Sequence, residues 1–388
     1  MSAPEPSITE STPEATVHDR SVEIAAAALV ALDHMHPARL RTLMDAWPDP
    51  REAVIAISTG RAAEAFTTVD GPRRRLRDPH ALVRGWSTRV DVEGAARELT
   101  RRRARVLVAG TDGYPIDTGI DDHPRALFTE GARQDAFAHP CVGVVGTRAA
   151  TPHGLADARE LGAALARAGV TVVSGLAIGI DGAAHEGALD AGGVAVGVVA
   201  TGLDIAYPRR HGILHQRVRD HGLLVSEYRY GIGPHPARFP VRNRIIAALS
   251  DVLVVVEATA DGGSRITADQ AIAYGRDVCA YPASRRNASA RGSNELLRAG
   301  AHVVIEPDDV LGVLGLTAGD RRAPSRPGGG AGATREERAV LDGLGGEPAT
   351  VDELTARTGL DPGPVAIAVA GLVRSGLLRR AHGLLWPV

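Results

Sequence analysis

CVGVVGTRAATPHG, residues 141–154, combines an apolar strand, a short turn and the start of a helix. Its first five residues are small or β-branched apolar residues, which is typical of a strand buried on both faces. Thr151 is a good helix N-cap and Pro152 suits the first helical position, so an anion could bind at this helix N-terminus. These residues predict a phosphate site at the turn, although a tight turn with a solvated arginine explains them equally well. The turn consists of Gly146, Thr147 and Arg148.

The same apolar pattern recurs six more times in the central part of the chain. The seven runs are CVGVVG (141–146), VTVVS (170–174), VAVGVVA (194–200), LLVSE (223–227), DVLVVVEA (251–258), DVCAY (277–281) and HVVIE (302–306). A helix-length segment separates each run from the next, except for the loop-rich link after residue 227. Strands that alternate with helices predict an α/β fold, a Rossmann-like doubly wound and mainly parallel sheet, with ligands at the carboxyl ends of the strands.

The charged residues exclude some classes of function. The 388 residues carry a net charge of only −2, so any basic site must be local rather than a property of the whole chain. The sequence contains no lysine, and all 44 cationic side chains are arginines. Schiff-base chemistry and a Walker lysine are therefore excluded, and phosphate contacts must come from arginines, polar side chains and backbone N–H groups.

Cys141 and Cys279 lie in apolar strand-like runs without a CxxC motif or a His/Cys cluster nearby. We expect buried free thiols in a reducing compartment, rather than a disulfide or a zinc site. The N-terminus lacks the basic and apolar regions of a signal peptide, and no apolar run approaches the ~18 residues of a membrane span. The sequence predicts a cytoplasmic protein with no membrane span and no cofactor.

The fingerprint of nicotinamide dinucleotide binding is missing. GVVGTR is not GxGxxG, and the second strand ends in Ser174 instead of an acidic residue that would hold a ribose. A dinucleotide-dependent dehydrogenase is therefore disfavoured.

The segment SGLAIGIDGAAHEGAL, residues 174–189, follows the second strand. Gly175, Gly179 and Gly182 allow a close approach of the backbone to a ligand, as a loop that cradles phosphate requires. Asp181 and His185 stand four residues apart on one predicted helix face, which also fits a metal or acid/base site. Because no third ligand lies nearby, we favour an Asp–His hydrogen bond that locks the loop.

Eight arginines but only two acidic residues lie between residues 207 and 244. The arginines are Arg209, Arg210, Arg217, Arg219, Arg229, Arg238, Arg242 and Arg244, and the acids are Asp220 and Glu227. Four of the few aromatic residues of the chain, Tyr207, Tyr228, Tyr230 and Phe239, are interleaved with them. Cations beside stacking rings are typical of single-stranded nucleic acid binding, whereas a solvated face is the ordinary explanation of a charge run.

The stretch FPVRNR, residues 239–244, places two arginines ahead of an apolar run. Arg242 and Arg244 suit phosphate geometry, and Asn243 would contact a further oxygen or cap the helix that follows. The alternative is that either arginine is structural and pairs with Glu227 or Glu257.

A third candidate anion site follows the fifth strand. Gly262, Gly263 and Ser264 precede a helix that we expect to begin near Thr267, so backbone amides and a hydroxyl lie at its N-terminus. Several such sites at one edge of one sheet indicate a polyanion or a ligand with several phosphates.

Residues 107–310 resemble the DprA/Smf family of bacterial DNA-processing proteins. The similar pieces are VGVVGTRAATPHG, VVSGLAIGIDGAAHEGAL, TGLDIAYPRRH, LVSEY, FPVRNRIIAALSD, VVVEA, GGSRITA, GRDVCAYPAS and GSNELLRAGA, in that order. The resemblance implies a non-catalytic Rossmann-like protein that binds single-stranded DNA, acts as a homodimer and loads the RecA recombinase in natural transformation (competence) or DNA recombination. Together with the strand-end residues, it gives one predicted DNA site. That site comprises Gly146, Thr147, Arg148, Thr151, Ser174, Gly175, Gly179, Arg242, Asn243, Arg244, Gly263 and Ser264.

The sequence also departs from the family pattern. Ile178 stands where the SGLAxGID loop commonly has a basic residue, His211 replaces a usual asparagine, and Pro282 is followed by Ala283 instead of glycine. The N-terminal segment lacks the GxG hairpin of helix-hairpin-helix DNA binding. These differences predict weaker DNA binding or a different path of the strand.

Composition and resemblance together predict five segments. They are a disordered tail (1–17), a helical SAM-like domain (18–100), a Rossmann-like DNA-binding domain (101–318), a linker (319–337) and a winged-helix domain (338–388). The recognition helix of the last domain, about 362–375, carries Arg374 as its only charge after Asp361. We expect it to contact protein or to pack, because reading a DNA groove needs several polar or cationic side chains.

Two other classes of function compete with DNA binding. One is a Rossmann-like nucleoside-phosphate hydrolase with Glu257 as its acid/base, although no partner carboxylate or nucleophile is apparent. The other is a structural or adaptor protein, in which the arginine sites would have no affinity for DNA.

Overall fold

The computed structural model describes residues 19–67, 78–316, 335–344, 349–374, 378–381 and 384–387. The chain divides into two compact units, Met1–Pro324 and Ser325–Val388. The predicted tail and most of the predicted linker lie outside the described residues. The predicted boundary near residue 100 falls inside the first unit, and the division of that unit into two domains stays a prediction.

The first unit opens with short helices joined by tight turns. They are α1 (Arg20–Ala31), α2 (Pro37–Ala46), α3 (Pro50–Ser58), α4 (Ala63–Thr67), α5 (Pro79–Ser87) and α6 (Val92–Arg102). Asp19, Asp49, Asp78 and Asp91 cap four of them by accepting a backbone N–H, which stabilises the helix N-termini.

Among the described residues of the first unit, nine strands form one sheet. They are β1 (Arg105–Val108), β2 (Ala126–Glu130), β3 (Cys141–Val145), β4 (Thr171–Ser174), β5 (Ala195–Val199), β6 (Leu223–Ser226), β7 (Val252–Val255), β8 (Asp277–Ala280) and β9 (His302–Val303). Their order is β1-β2-β6-β5-β4-β3-β7-β8-β9. The seven strands from β3 to β9 pair in parallel, which confirms the predicted mainly parallel fold.

The strands β1 and β2 were not predicted as strands. They pair antiparallel with each other, and β2 pairs antiparallel with β6, so they extend the sheet at one edge. Arg105 at the start of β1 forms an ion pair with the buried Glu23 of α1, at 2.6 Å between Nη2 and Oε1. This contact joins the helical part of the unit to the sheet.

Helices cover both faces of the sheet. They are α7 (Pro152–Arg167), α8 (Ile180–Asp190), α9 (Gly212–His221), α10 (Arg238–Leu249), α11 (Gly263–Ala273), α12 (Arg291–Arg298) and α13 (Pro307–Val313). The apolar residues of the strands β3 to β8 are buried between them, and Cys141 and Cys279 are buried free thiols, as predicted. Burial raises the pKa of both thiols to about 12, which keeps them protonated and inert.

The strand order reverses at β3. From β3 the chain adds β4, β5 and β6 on one side and then returns to add β7, β8 and β9 on the other. The loops after β3 and β7 are therefore neighbours that diverge into helices on opposite faces, and such a switch point leaves a crevice at the carboxyl edge of the sheet.

The second unit has a small core of its own. It contains α14 (Arg335–Leu344), α15 (Val351–Thr358), α16 (Pro362–Arg374) and an antiparallel pair, β10 (Leu378–Ala381) and β11 (Leu384–Pro387). Val340, Leu354, Val365 and Leu372 are buried in this core. The predicted recognition helix corresponds to α16. Within the described parts of both units, no helix is long and apolar enough to cross a membrane.

Candidate nucleic-acid interface

A cavity of about 580 Å³ opens at the switch point of the sheet. The loops after β3, β4 and β7 line it together with the first half of α10 and the start of α11. Seven residues of the predicted DNA site face this cavity. They are Gly146, Thr147, Arg148, Arg242, Asn243, Gly263 and Ser264.

The turn after β3 is held by the strand beside it. The Thr147 N–H donates to the carbonyl of Glu257 at 2.7 Å, and a side chain at Gly146 would collide with that carbonyl and with Ile180. Arg148 extends from this turn and is exposed, and no carboxylate in the described ranges forms an ion pair with it. Its positive charge is therefore available at the mouth of the cavity.

Two aromatic rings form one wall of the cavity. Tyr207 and Phe239 lie with their ring centroids 5.3 Å apart and their planes tilted by 36°. The guanidinium of Arg148 lies over the Phe239 ring, 5.5 Å from its centroid. Tyr207 is 40% exposed, so its ring can still accept a flat partner. A cation beside an accessible ring pair suits a nucleotide, whose phosphate and base have these two chemistries.

The glycine-rich loop after β4 supports the cavity from behind. Gly179 has a positive φ of 88°, and a side chain there would lie 2.3 Å from the Thr147 carbonyl. The Gly175 N–H donates to Asp181 at 3.1 Å, and the buried Ser174 hydroxyl donates to the Val144 carbonyl at 2.6 Å. These groups already have protein partners, so Ser174, Gly175 and Gly179 shape the site without lining it.

The predicted hydrogen bond between Asp181 and His185 is wrong. Asp181 turns toward the Gly175 N–H and the cationic Arg242 instead, and neither ring nitrogen of His185 bonds to it. His185 is fully buried, and burial lowers its pKa to about 3, so its ring is neutral. Within the described ranges, no group of His, Cys, Asp and Glu side chains could hold a metal ion.

Arg242 is buried yet reaches the cavity. Its guanidinium donates to the carbonyl of Gly175 at 2.8 Å and to that of Val198, and its Nε donates to Asn243 at 3.1 Å. Burial lowers the pKa of Arg242 to about 10, and the nearby Asp181 opposes this shift, so the side chain stays charged at neutral pH. Its charge contributes to the positive potential of the cavity, while its hydrogen bonds join α10 to the ends of β4 and β5.

The predicted role of Asn243 as a helix cap is wrong. The helix α10 already begins at Arg238, so Asn243 lies inside it. Its side-chain amide donates to the Gly263 carbonyl at 3.3 Å and joins α10 to the start of α11 at the cavity wall.

The structure does not bring Arg244 to the cavity. Both oxygens of the buried Glu227 accept from its Nη2, at 2.7 and 2.6 Å, and Asp122 lies 3.9 Å from its Nε. The structural alternative considered for this arginine, an ion pair with Glu227, is the arrangement found. Phe239, Arg242 and Asn243 lie on the cavity side of α10, and Arg244 faces the protein interior.

The third predicted anion site starts earlier than expected. The helix α11 begins at Gly263, with Gly262 as its N-cap, rather than near Thr267. Gly263 and Ser264 therefore form the first turn of an eleven-residue helix whose positive end faces the cavity.

Thr151 and Glu257 form a brace behind the first turn. Thr151 caps α7 by accepting the Gly154 N–H at 3.1 Å, and Glu257 accepts the Thr151 N–H at 2.8 Å and its hydroxyl at 2.7 Å. The side-chain amide of Asn287 donates to the same carboxylate at 3.1 Å. Neither Thr151 nor Glu257 lines the cavity, and this hydrogen bonding leaves Glu257 a structural role.

Some lining residues were absent from the predicted site. The sequence identifies Tyr207 and Phe239 as aromatic neighbours of arginines, but the predicted site does not include them, nor does it include the lining residues Thr259 and Asp181. The rule that ligands lie at strand ends points to Thr259, which follows β7 closely. Sequence alone does not indicate that Tyr207 meets Phe239, because the two residues lie 32 positions apart.

Two family models match the chain. The model described as DNA recombination-mediator protein A matches residues 105–315, which is more than half of the chain. The chain belongs to this family. The second model, the DprA winged helix domain, matches residues 322–383 and identifies the second unit as a winged-helix domain. The resemblance inferred from the sequence motifs and the predicted fold class are thereby confirmed.

Individual relatives agree with the family match. The putative DNA processing protein DprA of Mycobacterium tuberculosis is 39% identical over 325 residues, which cover 77% of this chain and 83% of that protein. The DNA processing protein DprA of Streptococcus pneumoniae is 40% identical over 201 residues, 52% of this chain and 71% of that protein. The X-ray structure of DNA processing protein A (DprA) from Streptococcus pneumoniae superposes with a TM-score of 0.63 at 31% identity, over 75% of this chain and 97% of that one. Neither the family description nor these names denote an enzyme.

Proposed function

We propose that the protein binds single-stranded DNA, with one nucleotide of the strand held in the cavity at the switch point of the sheet. The observation that carries this proposal is the juxtaposition of Arg148, whose charge has no carboxylate partner among the described residues, with the ring pair of Tyr207 and Phe239. Membership of a recombination-mediator family supports the same ligand.

Each part of the cavity has a separate task. Arg148 pairs with a phosphate, and the first turn of α11 stabilises the same negative charge through its helix N-terminus. Tyr207 and Phe239 stack against a base, which favours an unpaired strand because the bases of a duplex are already stacked on one another. Contacts with phosphate and with a π face carry no sequence information, so binding is insensitive to sequence.

The DNA site proposed from the structure differs from the one proposed from sequence. Arg148, Asn243, Gly263, Ser264, Gly146 and Thr147 remain candidates for direct contact. Arg242 contributes charge from a buried position. Thr151, Ser174, Gly175 and Gly179 hold the loops in place, and Arg244 stabilises the fold.

We also propose that the protein loads RecA onto the bound strand, as a recombination mediator would, and that it acts as a homodimer. The family description supports the first, and a dimer would double the contacts along one strand and raise avidity. The rate of RecA filament growth on single strands coated with a separate single-strand-binding protein, measured with and without the protein described here, tests the loading step. Light scattering at several concentrations tests the dimer.

The stacking contact can be tested apart from the phosphate contact. Binding of an oligothymidine is compared with binding of an abasic strand that has the same number of phosphates. We expect the wild type to prefer the oligothymidine by about 1–3 kcal/mol per stacked base, and Tyr207→Ala, which removes the exposed ring without touching the ring beneath Arg148, to lose most of this preference. Equal binding of both strands by the wild type would contradict the stacking role, and release of base or phosphate from a nucleotide would favour the hydrolase instead.

A further inference from the structure

A second arginine-rich segment lies outside the predicted DNA site. The stretch SRRNASAR, residues 284–291, connects β8 to α12 and is named here the arginine loop. Arg285, Arg286 and Arg291 are exposed, and no carboxylate in the described part of the chain forms an ion pair with them. The first acid after the loop, Glu295, is already paired with Arg265 at 3.2 Å. The loop is therefore a surface of uncompensated positive charge.

The arginine loop is fixed to the turn after β3. The Asn287 amide donates to Glu257 at 3.1 Å, and the same carboxylate holds Thr151. The Ser289 hydroxyl lies 3.5 Å from the carbonyl of Ala149, which lines the cavity. These contacts hold the arginine loop against the turn after β3.

The C-terminal end of the loop is fixed to the segment after β7. The Gly292 N–H donates to the Ala258 carbonyl at 2.7 Å, and a side chain at Gly292 would lie 2.4 Å from the Thr259 carbonyl. Thr259 also lines the cavity. Both attachments place the arginine loop along the rim formed by Ala149 and Thr259, on the same edge of the sheet as Arg148.

We propose that the arginine loop is a second contact surface for single-stranded DNA, which guides the strand as it leaves the cavity past Arg148. This inference rests on the function proposed above. Arg285, Arg286 and Arg291 continue the charge of Arg148 along one rim, and successive phosphates of one strand match such a row. The hydrogen bonds of Asn287 and Ser289 hold the row in place, so little ordering is needed on binding.

The test uses the full-length chain and the double variant Arg285→Ala/Arg286→Ala. The matched control is Arg167→Ala/Arg298→Ala, which removes two exposed arginines from the last turns of α7 and α12, at the opposite edge of the sheet. Binding to labelled oligothymidines is measured by fluorescence anisotropy over a series of salt concentrations. The oligothymidines range from a trinucleotide to about 16 nucleotides, the upper end of single-strand footprints.

On the long strand, we expect the double variant to lower the slope of log K against log salt by up to about 1.4, since each lost phosphate contact contributes ~0.7. We expect the double variant to bind the trinucleotide like the wild type, because one of its nucleotides occupies the cavity and the other two are too few to extend along the arginine loop. The control keeps the wild-type slope at every length, and equal melting temperatures show that all variants are folded.

Three outcomes are distinct. A double variant that keeps the wild-type slope on the long strand overturns the arginine loop as a DNA contact, while the cavity proposal stands. An equally lowered salt slope in the control variant shows a general effect of net charge and also overturns the arginine loop as a DNA contact. Absence of wild-type binding at every length refutes the proposed function itself, and with it this inference.

Discussion

At the scale of single residues, the arginines of one predicted site have different environments. Arg148 is exposed beside a ring, Arg242 is buried at the cavity wall, and Arg244 is buried against Glu227. The sequence pattern gives all three the same chemistry, because guanidinium geometry suits phosphate and carboxylate alike. Only the direction of each side chain decides which partner it meets.

The ion pair of Arg244 with Glu227 predicts a structural phenotype. Arg244→Ala leaves a buried carboxylate without its partner, so we expect the free energy of unfolding to fall by about 3–5 kcal/mol. The double variant Arg244→Met/Glu227→Leu removes both charges and recovers most of this loss. Urea denaturation at neutral pH measures both changes. An Arg244→Ala protein of wild-type stability that has lost DNA affinity would restore the original assignment of Arg244 to the DNA site.

The buried histidines predict a loss of stability in mild acid. Burial lowers the pKa of His185 to about 3 and that of His215 to about 4, whereas an unfolded histidine has a pKa of about 6.5. The unfolded chain therefore binds protons first as the pH falls below about 6.5, and each histidine costs ~2 kcal/mol of folding free energy by about pH 5. Urea denaturation at pH 7 and pH 5 measures this loss.

A matched pair of variants tests the assignment to histidine. We expect His215→Gln to reduce the difference in stability between pH 7 and pH 5, and His139→Gln, at an exposed position, to leave that difference unchanged. Equal pH dependence of the wild type and His215→Gln would show that other groups are responsible.

At the scale of elements, glycines bring the loops of the site together. Gly179 allows the loop after β4 to touch the turn after β3, and Gly162 and Gly187 allow α7 and α8 to pack with almost no space between their backbones. Of these three glycines, Gly179 alone has a positive φ, and the Thr147 carbonyl occupies the space that a side chain there would need.

Gly179→Ala is therefore expected to displace the turn that presents Arg148. The variant loses at least about 1 kcal/mol of stability through its positive φ, and loses DNA affinity through the collision with the Thr147 carbonyl. Gly192→Ala is the matched control, since Gly192 also has a positive φ, of 76°, but faces open space. Melting temperature and oligothymidine affinity of the two variants separate these effects. Equal DNA affinity in both would show that the turn tolerates the displacement.

The strands and some of the helix starts could be predicted from the sequence. Each of the seven parallel strands is a continuous apolar run, and Thr151 followed by Pro152 predicts the start of α7 correctly. The sequence predicts the start of α11 too late, because Gly263 is a poor helix former; its position is set by the packing of the N-cap Gly262 against Thr259 and by the Asn243 amide, which donates to the Gly263 carbonyl. The partner of Asp181 could not be predicted from its spacing to His185, because Arg242, toward which its side chain turns, is distant in sequence.

At the scale of the whole molecule, the cavity belongs entirely to the first unit. Its lining residues fall between Val145 and Thr267, and strand order rather than sequence neighbourhood brings them together. The parallel class of the sheet could be predicted, and the switch point at β3 could not, since apolar runs carry no information on their order. The contact of Tyr207 with Phe239 could not be predicted for the same reason, because it depends on the order of the strands.

The winged-helix unit is expected to be dispensable for binding to single strands. The helix α16 exposes Ile367 (74% exposed), and its sequence has Arg374 as its only charged residue, so it offers little to a DNA groove. A chain ending at Pro324 should bind oligothymidine with the affinity and salt dependence of the full chain. A large loss of affinity in the shortened protein would assign a DNA contact to the second unit.

The salt dependence of oligothymidine binding by the wild type, Arg148→Ala and Arg167→Ala tests whether Arg148 binds a phosphate of single-stranded DNA. The wild type should bind with a steep slope, Arg148→Ala should bind more weakly with a slope lower by ~0.7, and Arg167→Ala should match the wild type. Equal slopes for the wild type and Arg148→Ala would show that Arg148 contacts no phosphate, and no binding by the wild type would refute single-stranded DNA as the ligand.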